Sequence, residues 1–115
     1  MTIWERTQTA LVSLGVTAAA NKLIVGSGEE LPDEYLVYQL IGGNPDFWAD
    51  NKEKKRTMRM QVNYWSRNGL VNMPDIEGAM KGAGFTAGAQ TELPFYEETG
   101  HYGLSQDFFY SESEN

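Results

Sequence analysis

The chain has 115 residues, a net charge of −7 and no cysteine. That length suits a single domain that buries roughly two thirds of its unfolded surface; the lack of cysteine excludes a disulfide framework, a thiolate nucleophile and a cysteine zinc site. The acidic balance disfavours tight binding to nucleic-acid phosphates or anionic membranes, and no apolar run approaches the ~20 residues of a bilayer-spanning helix.

The start, "MTIWERTQTALVSLG", lacks a basic n-region, so no signal peptide is expected. Thr2 and Glu5 have the T-x-x-E spacing of a capping box. Ile3, Thr7, Leu11 and Leu14, with Ala10 beside them, fall near one helical face, and Gly15 is placed to stop the helix. Residues 16–30 have no clean period; Leu23, Ile24 and Val25 read either as a short strand or as a pin that holds a loop to the core.

Leu31-Pro32 opens "DEYLVYQLIGG", a strand with Leu36, Tyr38 and Leu40 on one face and Tyr35, Val37, Gln39 and Ile41 on the other. "GGNPDFWADNKEKKR" reads as a long polar loop over residues 42–56. In "TMRMQVNYWS", Met58, Met60, Val62 and Tyr64 alternate with Arg59, Gln61, Asn63 and Trp65, the period of a half-buried antiparallel strand. A short helix follows from about Asn72, with Asp75 and Glu77 in its first turn and Ile76, Ala79, Met80 and Ala83 inward. Residues 85–93 form a strand broken before Pro94. Tyr102, Leu104, Gln106, Phe108 and Tyr110 share one face of the last strand, and residues 111–115 read as a frayed acidic tail. The expected fold is one α+β domain over residues 1–115. It is an antiparallel β-sheet with two helices packed on one face, in the order α–β–β–α–β–β.

Chemistry-bearing residues are sparse. His101 is the chain's only histidine, with Glu97 and Glu98 just before it. Thr99-Gly100 reads as a turn between them, which predicts a solvated histidine and no acid–base or metal site. The glycines match neither phosphate-binding spacing, and no serine sits in an esterase elbow. No catalytic residue, metal or other cofactor is expected. Lys52, Lys54, Lys55 and Arg56 form the only basic cluster on an acidic chain. It reads either as a solvated loop or as a docking element for an acidic partner, including a second copy. Phe47 and Trp48 beside it read either as interface anchors or as a lid on the core. The candidate interface set is therefore Phe47, Trp48, Lys52, Lys54, Lys55, Arg56, Glu97, Glu98 and His101.

The series "LPDEYLVYQLI", a polar loop, "RMQVNYWS", a short helix ending in "GF", and "YEETGHYGLSQDFFY" resembles tail completion proteins of long-tailed phages, also called tail terminators or tail-to-head joining proteins. The resemblance covers most of residues 31–110, about two thirds of the chain. Gly103 departs from it, standing where the family often has a polar residue, and His101 precedes the tyrosine. The resemblance implies a non-enzymatic virion protein that assembles as a ring, expected to be a hexamer, on the end of a non-contractile tail. Its partners would be further copies, the tail-tube protein and the head connector. DNA would pass through the lumen without specific binding, and the subunit would sit in the host cytoplasm until assembly. The alternatives are another connector part, such as a head-completion or tail-tube subunit, and a small ligand-binding or enzymatic α+β domain.

Overall fold

A computed structural model describes residues 1–26, 30–46 and 54–114. Helix α1 spans Ile3–Val12 and starts as its capping box requires: the Glu5 amide donates to Thr2 Oγ1 and the Thr2 amide to Glu5 Oε1, each at 3.1 Å. The backbone hydrogen bonds from Thr2 hold the Glu5 carboxyl below the usual carboxylate range. Ile3, Thr7, Ala10 and Leu11 form its buried stripe, and Gly15, at φ +77°, takes the left-handed turn that ends it. Helix α2, Ile76–Gly82, is capped by Asp75, whose carboxylate accepts from the Gly78 amide, and buries Ile76 and Met80.

Five strands follow the order β1 (Thr17–Ala20), β2 (Glu34–Asp46), β3 (Lys54–Ser66), β4 (Thr86–Tyr96) and β5 (His101–Glu114) in sequence. Across the sheet they lie β1-β2-β3-β5-β4. The β2–β3, β3–β5 and β5–β4 pairs are antiparallel, but β1 runs parallel to β2, pairing Thr17 with Tyr35 and Ala20 with Tyr38. The fold is α+β, and the all-antiparallel expectation is corrected to a mixed sheet. The chain leaves β1 at one end, crosses back through residues 21–33, and enters β2 from the same end as β1, which a parallel neighbour demands. The apolar trio Leu23, Ile24 and Val25 forms no strand; Ile24 is 82% exposed.

Three further expectations change. Residues 42–46 and 54–56 are not loop but paired strand: after a bulge between Leu40 and Gly42, β2 stays in register with β3 out to Asp46 opposite Lys55. Residues 111–114 are not a frayed tail, because Ser111 pairs with Thr57 and Glu114 with Lys54. The register there pairs Arg56 with Glu112, Lys54 with Glu114 and Lys55 with Asp46. Strand β4 also runs through Pro94 rather than ending before it. A proline is tolerated on an edge strand, and the register shifts between Leu93 and Tyr96.

Both helices pack on one face of the sheet. Leu36, Tyr38, Met58, Met60, Val62, Tyr64 and Phe108 from the strands meet Ile3, Leu11, Ile76 and Met80 from the helices in one buried cluster. Polar contacts fix the layer: Arg6 lies 4.4 Å over the Tyr110 ring and donates to Ala83 O, and the Tyr64 hydroxyl donates to Glu34. The long strands β2, β3 and β5 outrun the two helices. The molecule measures 55 × 28 × 23 Å, and its radius of gyration of 15.9 Å exceeds the about 13 Å of a compact chain this long.

Candidate functional site

The second sheet face has no helix over it. Period-two alternation places Tyr35, Val37 and Gln39 of β2, Arg59, Gln61, Asn63 and Trp65 of β3, and Gly103, Ser105, Asp107 and Phe109 of β5 there, each row opposite its neighbour. Its middle is polar. Gln39 donates to Gln61 at 3.4 Å, and Arg59 pairs diagonally with Asp107 at 2.7 Å. Its end near the start of β2 is aromatic.

That aromatic end holds a cavity of about 360 Å³ lined by Lys22, Leu23, Leu31, Tyr35, Val37, Asn63, Trp65 and Tyr96, with Asn21 at its rim. Lys22, Leu23 and Leu31 line one side, and Tyr35, Val37, Asn63 and Trp65 of the sheet form the floor. Asn21 adopts the left-handed conformation at φ 63° as the chain leaves β1, and Lys22 is the one cation among the lining residues. Burial pushes the Tyr35 hydroxyl above its ordinary range, with the neighbouring Tyr96 adding to the shift. The volume is that of a small-ligand site, and the walls are mostly apolar.

His101 lies beside this end, but it is not the solvated turn residue expected from the sequence. It is fully buried, the first residue of β5. Nε2 stands 2.9 Å from Pro32 O and Nδ1 2.6 Å from Thr99 Oγ1. A carbonyl only accepts, so Nε2 donates to Pro32 O, and Nδ1 shares a hydrogen bond with the threonine hydroxyl. The ring also meets Tyr35 edge-on at 5.2 Å. Arg67 completes the arrangement: Nε donates to Thr99 O at 2.8 Å, and the same side chain pairs with Asp33 at 2.9 Å. Together they tie the entry to β2, the end of β3 and the 97–100 turn into one rigid corner. Both ring nitrogens are occupied by structural partners, and burial removes His101 from the candidate interface set.

The remaining candidates separate. Glu97 and Glu98 are exposed on the β4–β5 turn, and Glu98 accepts from the Tyr96 hydroxyl at 3.2 Å. Neither touches His101. Lys54, Lys55 and Arg56 start β3 at the far end of the same strands, ~40 Å away along the 13 residues of β3. Phe47, Trp48 and Lys52 lie outside the described residues. The basic cluster and the Glu97/Glu98 turn are therefore two sites, one at each end of the sheet. Among the described residues, no three His, Cys, Asp or Glu side chains stand close enough to share a metal ion.

Sequence reasoning missed the cavity and the sheet edges. The available signal was Tyr35 and Trp65, two aromatic residues at register-paired ends of β2 and β3 on the face opposite Leu36 and Tyr64. Strand β4 pairs only with β5 and is exposed along nearly its whole length; β1 pairs only with β2. Both edges of the sheet therefore stand unpaired among the described residues.

In comparisons with known proteins, no family model matches the chain and no curated protein matches its sequence.

Proposed function

We propose that this chain is a structural subunit of a phage virion that closes the end of a long non-contractile tail and joins it to the head, assembling as a ring around the DNA channel. The observation that carries the reading is the open five-stranded sheet with both edges unpaired. A subunit with two different free edges meets its copies head to tail, and such contacts close into rings or run on as filaments. The ordered motifs from Leu31-Pro32 to the 108–110 aromatic run support the same reading. So does the net charge of −7, which disfavours retention of DNA in a lumen.

Purified protein, added to growing tubes of the tail-tube protein encoded with it, is expected to arrest growth and to appear as a ring at the tube end in electron micrographs. Tubes formed by this protein alone would instead identify a tube subunit. Tubes that grow on unchanged would remove the terminator role.

One observation favours a second reading, a small-ligand binding domain: the cavity over Tyr35 and Trp65. That reading rests on the cavity and Lys22, not on His101, whose ring nitrogens are both engaged.

A further inference from the structure

The two free edges have matching lengths. Strand β4 holds an unbroken register with β5 only over Gln90, Thr91, Glu92 and Leu93, four residues bounded by register shifts on either side. Strand β1 is four residues long, Thr17–Ala20. Neither strand carries a lysine, arginine or histidine, and Glu92 is the only charge on either. Edge strands are blunted by charges, lysine above all, and by proline and bulges; on β4, Pro94 and the two register shifts lie outside the 90–93 window. The side chains are small: Thr17, Ala18, Ala19 and Ala20 on β1, and Ala87, Gly88 and Ala89 leading into Gln90 on β4. The helix layer reaches the start of β4, where Ala87 packs against the core, but not its 90–93 window: Gln90 and Glu92, on the helix side opposite Gln106 and Leu104, are both exposed. The Gln8 amide donates to the β1 backbone at Ala18 O at 3.3 Å.

We propose that the 90–93 window of β4 pairs with β1 of a second copy, extending the five-stranded sheet from subunit to subunit. A β4–β4 pair would bury one edge of each copy and leave two β1 edges open. A β4–β1 pair repeated around a closed ring leaves none, which is how closed sheets dispose of their edges. The sheet continues with the helices on one side, so Thr91, opposite Ser105, and Ala19, opposite Val37, face the same way across the junction. This pairing deepens the ring reading and rests on it for closure, whereas the strand contact itself is testable without any tail.

The chain has no cysteine, so introduced cysteines have only each other to join. Adjacent strands bring paired Cα atoms within disulfide range. Thr91→Cys and Ala19→Cys proteins, mixed and oxidised with glutathione, are expected to give a cross-linked heterodimer. The chain carrying both changes should give a ladder of multimers on a non-reducing gel. Gln90→Cys with Ala18→Cys tests the other face and a shifted register. Thr91 is exposed and Ala19 half-buried, and an unchanged melting curve in the reduced state verifies the fold. Dimers of Thr91→Cys alone as the main product would overturn the pairing in favour of a two-fold contact. No cross-link in either mixture would overturn it outright. Tube arrest without cross-linking would remove this interface and leave the tail reading; a ladder without tube arrest would remove the tail reading and leave the interface.

Discussion

The indole of Trp65 lies against the backbone of Gly103 on the neighbouring strand. The two are register partners, and a Cβ built on Gly103 would fall 2.5 Å from Trp65 Cζ3 and 2.7 Å from Cε3. The glycine at this position thus has a local cause. It makes room for an aromatic ring that floors the cavity and meets Tyr96 edge-on at 6.4 Å.

Gly103→Ala is expected to displace the indole and cost about 1–3 kcal/mol, as overpacking does. Urea unfolding followed by circular dichroism measures the loss, and a red shift of tryptophan emission reports the displaced ring. A variant as stable as the parent, with unchanged emission, would show that the ring does not depend on this close approach.

Replacing His101 with alanine removes both ring hydrogen bonds and leaves the Pro32 carbonyl facing a void. A loss of about 2–4 kcal/mol is expected. Glu97→Ala and Glu98→Ala, on the exposed turn, should stay within about 0.5 kcal/mol of the parent. Equal effects at all three positions in urea titrations would contradict the structural corner described for His101.

The Tyr64 hydroxyl is pushed up to about 12 by burial first and by its hydrogen bond to Glu34 second. The folded state therefore holds this proton more tightly than the unfolded chain, whose tyrosine titrates near ~10. Its contribution is complete below pH 10 and is lost as pH rises from 10 towards 12. Melting temperatures across that window should fall more steeply for the parent than for Tyr64→Phe, which has no such proton. Parallel curves would count against the assignment.

Reversing Lys54 and Arg56 to glutamate would place like charges opposite Glu114 and Glu112. From the sequence, the basic cluster read either as a solvated loop or as a docking element. The register predicts instead that the far end of the sheet itself weakens, by about 0.2–1 kcal/mol for each pair. Hydrogen exchange should accelerate at residues 54–57 and 111–114 and stay unchanged at the Tyr64 end of β3. Unchanged exchange at both ends would return the cluster to its role as a docking element.

The legible parts of this fold were those in which local spacing and burial coincide. Met58 to Tyr64 alternate strictly and all four apolar residues are buried, while Thr2 and Glu5 cap α1 through atoms three residues apart. Strand β1 was illegible because "TAAA" carries no strand preference; it is a strand only because β2 offers it an edge. The 42–46 segment looked like loop because it is polar and holds Gly42, Gly43 and Pro45, and 111–114 looked like a tail because it is polar and acidic. They become strand through partners 9 to 60 residues away.

By itself the sequence determined an acidic, cysteine-free α+β chain, with its capped first helix, the Gly15 stop and the alternating faces of β3 and β5. These follow from interactions between residues close in the chain. The tertiary structure alone decided the parallel placement of β1, the burial of His101 against a carbonyl 69 residues away, the cavity over Trp65 and the two open edges. Each of these depends on which strand lies beside which, and that choice is made by the collective burial of one sheet face rather than by any local pattern.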